Sequence, residues 1–183
     1  MAERVAIDEL VSKMREERAR LLAAAEGFDE KAAEATPVNA HGEEQWTAKE
    51  QFSHLTEMEV AYRAWAARAL FEDNPNVVDT PFEPVAIPVE EAHNHTVAEH
   101  IAELRRQRGK THRLIETMKP QDFDRTATHS AFGTLTVLQW LRSYYRHDRM
   151  HTDQLSGREP TYKPQFAGGR EPDQRTPRLR RPA

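Results

Sequence analysis

The stretch Trp140–Leu155, WLRSYYRHDRMHTDQL, predicts the helix around which this fold is organised. It contains no Gly or Pro, and its two histidines, His147 and His151, are four residues apart. Side chains at positions i and i+4 lie on the same face of an α-helix. Steps of three and four residues back from His147 reach Tyr144 and Trp140, so both imidazoles lie on the apolar face that should pack against a core. Buried imidazoles need hydrogen bonds, or a cation that takes up their lone pairs.

Two further helices are predicted in the first part of the chain. Residues 7–25 have apolar side chains at helical spacing, and Gly27 ends the run. A loop follows, and the second helix opens at Thr47, which forms a predicted capping box with Glu50. Its helical apolar spacing continues to about Pro75. We expect these two helices to be long and amphipathic.

A third helix follows a long connection. Residues 74–94 contain four prolines and no helical period, which is typical of a functional loop or of a crossover between distant ends of a bundle. Thr96 and Glu99 then form a second predicted capping box. This helix ends at Pro120, because proline cannot continue it.

The fourth helix is the stretch with the two histidines. It follows a loop over residues 121–133, in which residues 126–132 are compatible with a short extended pair. Thr134 or Thr136 caps the helix, and Gly157 ends it. Four long amphipathic helices predict an all-α fold, a four-helix bundle with a long crossover between helices two and three.

Length and composition predict one domain with a tail. The 183 residues, 38% of them hydrophobic, suffice for one core and are too few for two ordinary domains. We therefore expect a bundle over residues 1–157 and a Pro/Arg-rich tail over residues 158–183, disordered or draped on the surface. The chain contains no cysteine, which excludes disulfides, thiolate zinc sites and a cysteine nucleophile.

The charge distribution argues against nucleic-acid binding. Seven Lys/Arg and three Asp/Glu follow from Gly157 onward, which leaves the first 156 residues with 19 basic against 27 acidic side chains. An acidic body is a poor surface for phosphates. The N-terminal sequence MAERVAIDEL does not resemble a signal peptide, and no run is long and apolar enough to span a membrane. The expected location is the cytoplasm.

A third histidine, His54, lies near the start of the second helix and borders its apolar face. It can meet His147 and His151 if helices two and four are antiparallel neighbours. Three imidazoles without a thiolate suit Zn²⁺, Ni²⁺ or Fe²⁺ and leave positions for water or substrate. The alternative is that these histidines are simply buried and hydrogen bonded.

Other residues near these motifs have simpler interpretations. Those expected to be solvated helix charges rather than partners of a ligand imidazole are Glu57, Asp148 and Asp153. Tyr144 is expected to pack in the core rather than reach a metal. An accessory site of His93, His95 and His100 would form only if the Pro-rich connection folds over the cavity. Residues expected at the surface or in loops are His41, His112 and His129, and those expected in a core or interface are Trp46, Trp65 and Trp140.

Three segments together resemble the DinB-like bundle proteins. WTAKEQFSHLTEMEV (residues 46–60) is similar to their second-helix signature, and RHDRMHTDQL (residues 146–155) is similar to their fourth-helix His-x-x-x-His signature. AFGTLTVLQWL (residues 131–141) fits the approach to that fourth helix. The resemblance covers most of residues 5–157 in element order, and the C-terminal tail is not part of it.

This resemblance implies a divalent metal held by His54, His147 and His151, and a homodimer. It also implies a relation to metal-dependent thiol transferases that use mycothiol or bacillithiol. The leading functional hypothesis is therefore a thiol S-transferase that acts on a small-molecule substrate with a low-molecular-weight thiol, which a metal with open positions would activate. The alternatives are a metal-dependent hydrolase and a non-catalytic bundle that binds a metal or a small ligand.

Overall fold

A computed structural model of the chain describes residues 4–35 and 46–160, and four long helices dominate these ranges. The α-helices are, in chain order, α1 (Arg4–Ala25), α2 (Glu30–Glu34), α3 (Ala48–Phe71), α4 (Val97–Thr117) and α5 (Val137–Leu155). The four predicted helices correspond to α1, α3, α4 and α5, and α2 is a short helix in the described part of the first connection. The predicted all-α four-helix bundle is confirmed.

Reciprocal side-chain caps determine where three of the long helices begin. In each, a threonine hydroxyl accepts a hydrogen bond from the backbone N–H three residues later, whose side chain accepts the N–H of the threonine. The pairs are Thr47 with Glu50 at α3, Thr96 with Glu99 at α4, and Thr136 with Gln139 at α5. Of the two threonines predicted to cap α5, Thr136 is the one that does so.

A small hairpin leads into α5. After a 3-10 turn at Pro120–Asp124, strand β1 (Thr126–His129) pairs antiparallel with strand β2 (Gly133–Thr136). Gly133 has a φ of 77°, a backbone conformation that glycine adopts readily. The first strand lies within the extended segment predicted at residues 126–132, whereas the second strand begins one residue beyond it.

The long connection between α3 and α4 packs against the bundle. The backbone N–H of Val77 donates to the carbonyl of Thr128 in β1 at 2.9 Å. A 3-10 helix, Val89–Asn94, then packs on α3, where the Glu57 carboxylate accepts the N–H of its first residue at 2.8 Å. The sequence predicted no helix in residues 74–94, because a single 3-10 helix is too short to show an amphipathic period.

The apolar core consists of two clusters, separated along the bundle axis. One cluster surrounds the aromatic side chains Tyr62, Trp65, Phe132, Trp140 and Tyr144. The other contains Leu21, Phe52, Leu55, Ile101 and Leu104. Buried polar side chains lie between the two clusters, and they include the histidines of α3 and α5.

Several predictions fall partly or wholly outside the described residues. The tail is described only as far as residue 160, and His41 is not described. The division into residues 1–157 and 158–183 therefore stays a prediction. Within the described ranges, the helices are all too short or too polar to cross a lipid bilayer.

Candidate metal centre

Three buried histidines from two helices meet between the apolar clusters. His54 comes from α3, and His147 and His151 come from successive turns of α5. The Nε2 atom of His147 lies 3.1 Å from Nε2 of His54 and 3.0 Å from Nε2 of His151. The three potential ligand atoms lie within 4.8 Å of one another, and each residue is at most 4% exposed. The rings converge as the sequence predicted.

The two short contacts of the His147 Nε2 atom compete with each other as hydrogen bonds. The Nε2 atom of His147 carries either one hydrogen or one lone pair, never both. With a hydrogen it donates fully to one neighbour only, and with a lone pair it accepts fully from one neighbour only. One of its two short contacts, to His54 or to His151, is therefore a poor hydrogen bond in every assignment of the protons. A cation that receives a lone pair from each ring removes this conflict.

The distances fit a shared metal ion. Two neighbouring ligands that are each about 2.1 Å from a metal lie ~3.0 Å apart in octahedral geometry and ~3.4 Å apart in tetrahedral geometry. The separations of 3.0 and 3.1 Å that involve His147 are close to the octahedral value, and all three ligand atoms lie within 4.8 Å of one another. Three neutral imidazoles are also a donor set that Zn²⁺, Ni²⁺ and Fe²⁺ accept.

The surroundings keep His151 neutral and oriented. Burial, assisted by the nearby His147 and His54, holds the pKa of His151 well below its usual value. Its Nδ1 atom lies 3.0 Å from Oε1 of Gln51, a buried side chain one turn before His54 on α3. The half-buried indole of Trp46 covers His54, with ring centroids 4.5 Å apart. Sequence reasoning missed Gln51, although its position three residues before His54 places both on one side of α3.

A network of four buried charges lies beside the histidines. Its members are Arg18 from α1, Glu59 from α3, Arg108 from α4 and Asp148 from α5, each at most 4% exposed. Arg18 lies 2.6 Å from the Glu59 carboxylate and 2.9 Å from that of Asp148. Arg108 bridges the same two carboxylates, at 2.8 Å each. The two positive and two negative groups neutralise each other and connect all four long helices.

The network fixes the ionised form of its glutamate. Burial alone would raise the pKa of Glu59, but the positive charges of Arg108 and Arg18 outweigh it and lower the pKa to about 2. The hydroxyl of Thr111 also donates to Glu59, at 2.8 Å. The narrow space between this network and His147 is too small to hold a water molecule. The charges thus form a buried, hydrogen-bonded support next to the histidine cluster.

Sequence reasoning missed this network, although the pattern contains a signal for it. Each member occupies a position that the helical period of its own helix assigns to the core. Arg18 follows Met14 by four residues and precedes Leu21 by three, and both neighbours are buried. Asp148 likewise follows Tyr144 by four residues. One charged residue on the apolar face of one helix is not informative. One such residue on each of the four long helices indicates that the charges pair with each other in the core.

Three side chains of α5, two acidic and one aromatic, are buried in the structure. The expectation that Asp148 is a solvated charge is wrong, because two arginines from other helices compensate its burial. Asp153 is also largely buried, 8% exposed, and pairs with Arg158 at 3.0 Å. Tyr144 packs in the core as predicted, and its hydroxyl donates to the backbone carbonyl of Glu59 at 3.1 Å.

The other histidines in the described part of the chain lie apart from this cluster. His100 is buried, and its Nε2 atom lies 2.9 Å from the carbonyl oxygen of Ala92. Among the described residues, His93, His95 and His100 do not form a group of convergent ligand atoms, so the accessory site is absent there. The expectation that His129 lies at the surface or in a loop is wrong, because it is in β1, 8% exposed, and stacks on aromatic side chains.

The tryptophans and His112 complete the comparison. Trp65 and Trp140 lie in the core as predicted, with ring centroids 5.2 Å apart. Trp46 is instead half-buried against His54. His112 is a half-buried residue of α4. None of these corrections affects the three converging histidines.

Solved structures share this fold at low sequence identity. YfiT from Bacillus subtilis, described as a probable metal-dependent hydrolase with an unusual four-helix bundle topology, matches with a TM-score of 0.69 and 17% identity over 86% of this chain and 87% of that one. TT2238, a four-helix bundle protein, matches with a TM-score of 0.59 and 21% identity, over 81% and 96% of the two chains. A mutant of a mycothiol-dependent maleylpyruvate isomerase matches with a TM-score of 0.63 and 10% identity, over 81% of this chain and 60% of that one.

Comparison of sequences identifies the family. No curated protein matches the sequence significantly. The profile of the DinB superfamily, however, matches residues 4–155, a range that contains all four long helices and the three converging histidines. Since the match covers the whole bundle, the chain belongs to the DinB superfamily.

Proposed function

We propose that this chain is a metal-dependent enzyme in which His54, His147 and His151 hold a divalent ion, Zn²⁺, Ni²⁺ or Fe²⁺. The observation that carries the proposal is the convergence of three buried Nε2 atoms from two helices. Three protein ligands leave coordination positions for water or substrate, as in catalytic rather than structural sites.

The reaction that we propose is the transfer of a low-molecular-weight thiol to a small electrophilic substrate. A bound divalent ion lowers the pKa of a thiol or water that it coordinates, and so supplies a nucleophile near neutral pH. The histidines contribute neutral, buried ligands that keep the ion's positive charge undiminished. The chain contains no cysteine, so none of its own thiols competes with the incoming one.

Neighbouring structures support both this reaction and a rival. The mycothiol-dependent isomerase shares the fold with a thiol-using enzyme, whereas the Bacillus subtilis protein is described as a probable hydrolase. Activation of water instead of a thiol would make this chain a metal-dependent hydrolase. A non-catalytic bundle that binds a metal or a small ligand is the third possibility, and turnover distinguishes it from the other two.

Metal content and turnover test the proposal in sequence. We expect about one Zn²⁺, Ni²⁺ or Fe²⁺ per chain in protein purified without a histidine tag, by elemental analysis. We expect conjugation of a chromogenic electrophile with mycothiol or bacillithiol, and its loss in His147→Ala. The matched control is His112→Ala, a half-buried histidine of α4, which should retain metal and activity.

Each alternative has a distinct result. Hydrolysis of activated esters that depends on His147, without thiol conjugation, would replace the transferase proposal with the hydrolase. Metal binding without either activity would favour the non-catalytic bundle. No bound metal after addition of Zn²⁺ or Ni²⁺ would overturn the proposal. The homodimer that the family resemblance implies is also a proposal, and sedimentation equilibrium tests it.

A further inference from the structure

Gln51 connects the two helices that supply the histidines. It lies in α3, is 4% exposed, and its Oε1 atom is 3.0 Å from Nδ1 of His151 in α5. Its Nε2 atom donates to the backbone carbonyl of Trp46 at 3.3 Å. The capping box at Thr47 fixes the first turn of α3, and with it the position of this amide.

These two contacts define the direction of the amide. The carbonyl oxygen of Trp46 can only accept a hydrogen bond, so it requires the NH₂ end of Gln51. The oxygen end of Gln51 therefore faces His151, and an amide oxygen can only accept. His151 must then carry its hydrogen on Nδ1, which leaves a lone pair on Nε2. That lone pair points toward His147, whose Nε2 is 3.0 Å away.

We propose that Gln51 is a positioning residue that holds His151 in the Nδ1–H form and keeps its Nε2 lone pair directed at the ion. This inference rests on the proposed function and deepens it, because it assigns a role in metal affinity to a residue that would not touch the ion. Ligand histidines generally depend on such a partner for their tautomer and ring orientation.

Loss of the Gln51 acceptor oxygen should destabilise the metal-bound state more than the metal-free state. In a Gln51→Leu variant without metal, the proton of His151 can move to Nε2 and donate toward His147. With an ion bound, Nε2 is occupied and the Nδ1–H is left buried without an acceptor. The substitution should therefore reduce the free energy of metal binding more than it reduces the free energy of unfolding of the metal-free protein.

Metal affinity and tautomer state are measured on the full chain. We expect Gln51→Leu to bind Zn²⁺ about 10- to 100-fold more weakly than the wild type, in competition with a chromogenic chelator. Gln51→Glu loses the hydrogen bond to Trp46 but retains an acceptor oxygen for His151, and it should therefore bind Zn²⁺ more tightly than Gln51→Leu. In metal-free protein, ¹⁵N NMR of the imidazoles should show His151 as the Nδ1–H form, with a shift toward Nε2–H in Gln51→Leu.

The control is Gln107→Leu, which removes another fully buried glutamine with hydrogen bonds to Glu103 and Arg63. It should lower stability without changing Zn²⁺ affinity. If Gln51→Leu does not fold, Gln51→Met, which is closer in shape, replaces it. Unchanged Zn²⁺ affinity in a folded variant, or an Nε2–H form of His151 in the wild type, overturns this inference alone. A wild-type chain that binds no divalent ion overturns the proposed function as well.

Discussion

Replacement of Glu59 by glutamine tests whether the buried charge network stabilises the bundle. Glu59 accepts hydrogen bonds from Arg18 at 2.6 Å, from Arg108 at 2.8 Å and from Thr111 at 2.8 Å. In Glu59→Gln the shape is kept, but an NH₂ group must face at least one of these donors. Two guanidinium groups then share the single carboxylate of Asp148, so a net positive charge is left buried.

The pKa of Glu59 gives the magnitude. The pKa falls from 4.5 to about 2 on folding, and a difference of about 2.5 pKa units corresponds to roughly 3 kcal/mol. Because the pKa is lower in the folded state, ionised Glu59 stabilises the fold at neutral pH, and this contribution disappears as the pH falls from 4.5 toward 2. We expect Glu59→Gln to lower the free energy of unfolding by about 3 kcal/mol at pH 7 and by roughly half as much at pH 3, where ionised Glu59 contributes less.

Urea unfolding followed by circular dichroism in the presence of EDTA measures this difference at both pH values. Glu16→Gln is the control, because Glu16 is a partly exposed residue of α1 that pairs with Lys13 at 2.8 Å, and little change is expected from an exposed pair. If the free energies of unfolding of wild type and Glu59→Gln differ by less than about 1 kcal/mol at pH 7, the reasoning is refuted, because an exposed ion pair contributes as much. If this difference in the free energy of unfolding stays constant down to pH 3, the ionised carboxylate of Glu59 does not cause it.

Three other changes probe the site and the helix ends. His54→Ala removes the proposed metal ligand on α3 and should weaken Zn²⁺ binding more than about tenfold in chelator competition; unchanged affinity would place the ion elsewhere. Thr136→Ala removes the cap of α5 and should lower the free energy of unfolding in urea by about 1 kcal/mol, whereas no loss would mean that water replaces the cap. Gly157→Ala places a side chain at a φ of 66°, and should cost about 1 kcal/mol in thermal unfolding even though the added Cβ meets open space. An unchanged Tm would contradict that backbone argument.

The first residues of α3 and α4 were readable in the sequence because the signals are local, whereas α3 ends at Phe71, before the predicted end near Pro75. A threonine and a residue three positions later make a capping box within a single turn, and the pairs at Thr47 and Thr96 were predicted from this spacing. The relation of His147 to His151 is local too, since one turn of helix fixes it. The family resemblance rested on these same short segments.

Neighbours from other helices could not be read in the same way. The period of α1 marks Arg18 as facing inward, but it does not say which charge it will meet. Only the packing of all four helices brings Arg18, Glu59, Arg108 and Asp148 together, which is why Asp148 looked like a solvated charge. A buried charge is acceptable only with partners, and partners distant in sequence are visible only in the folded chain.

In the candidate site, too, some features follow from the sequence and others only from the tertiary structure. The sequence alone determined that α5 carries two imidazoles on one inward face, and it proposed His54 as a third from the border of another apolar stripe. The tertiary structure decided that α3 lies beside α5 at a distance that brings three Nε2 atoms together, and that Gln51 reaches His151. Helical periodicity fixes the direction in which each side chain points from the axis of its helix. The distance between the axes of two helices depends instead on the close packing of the whole core.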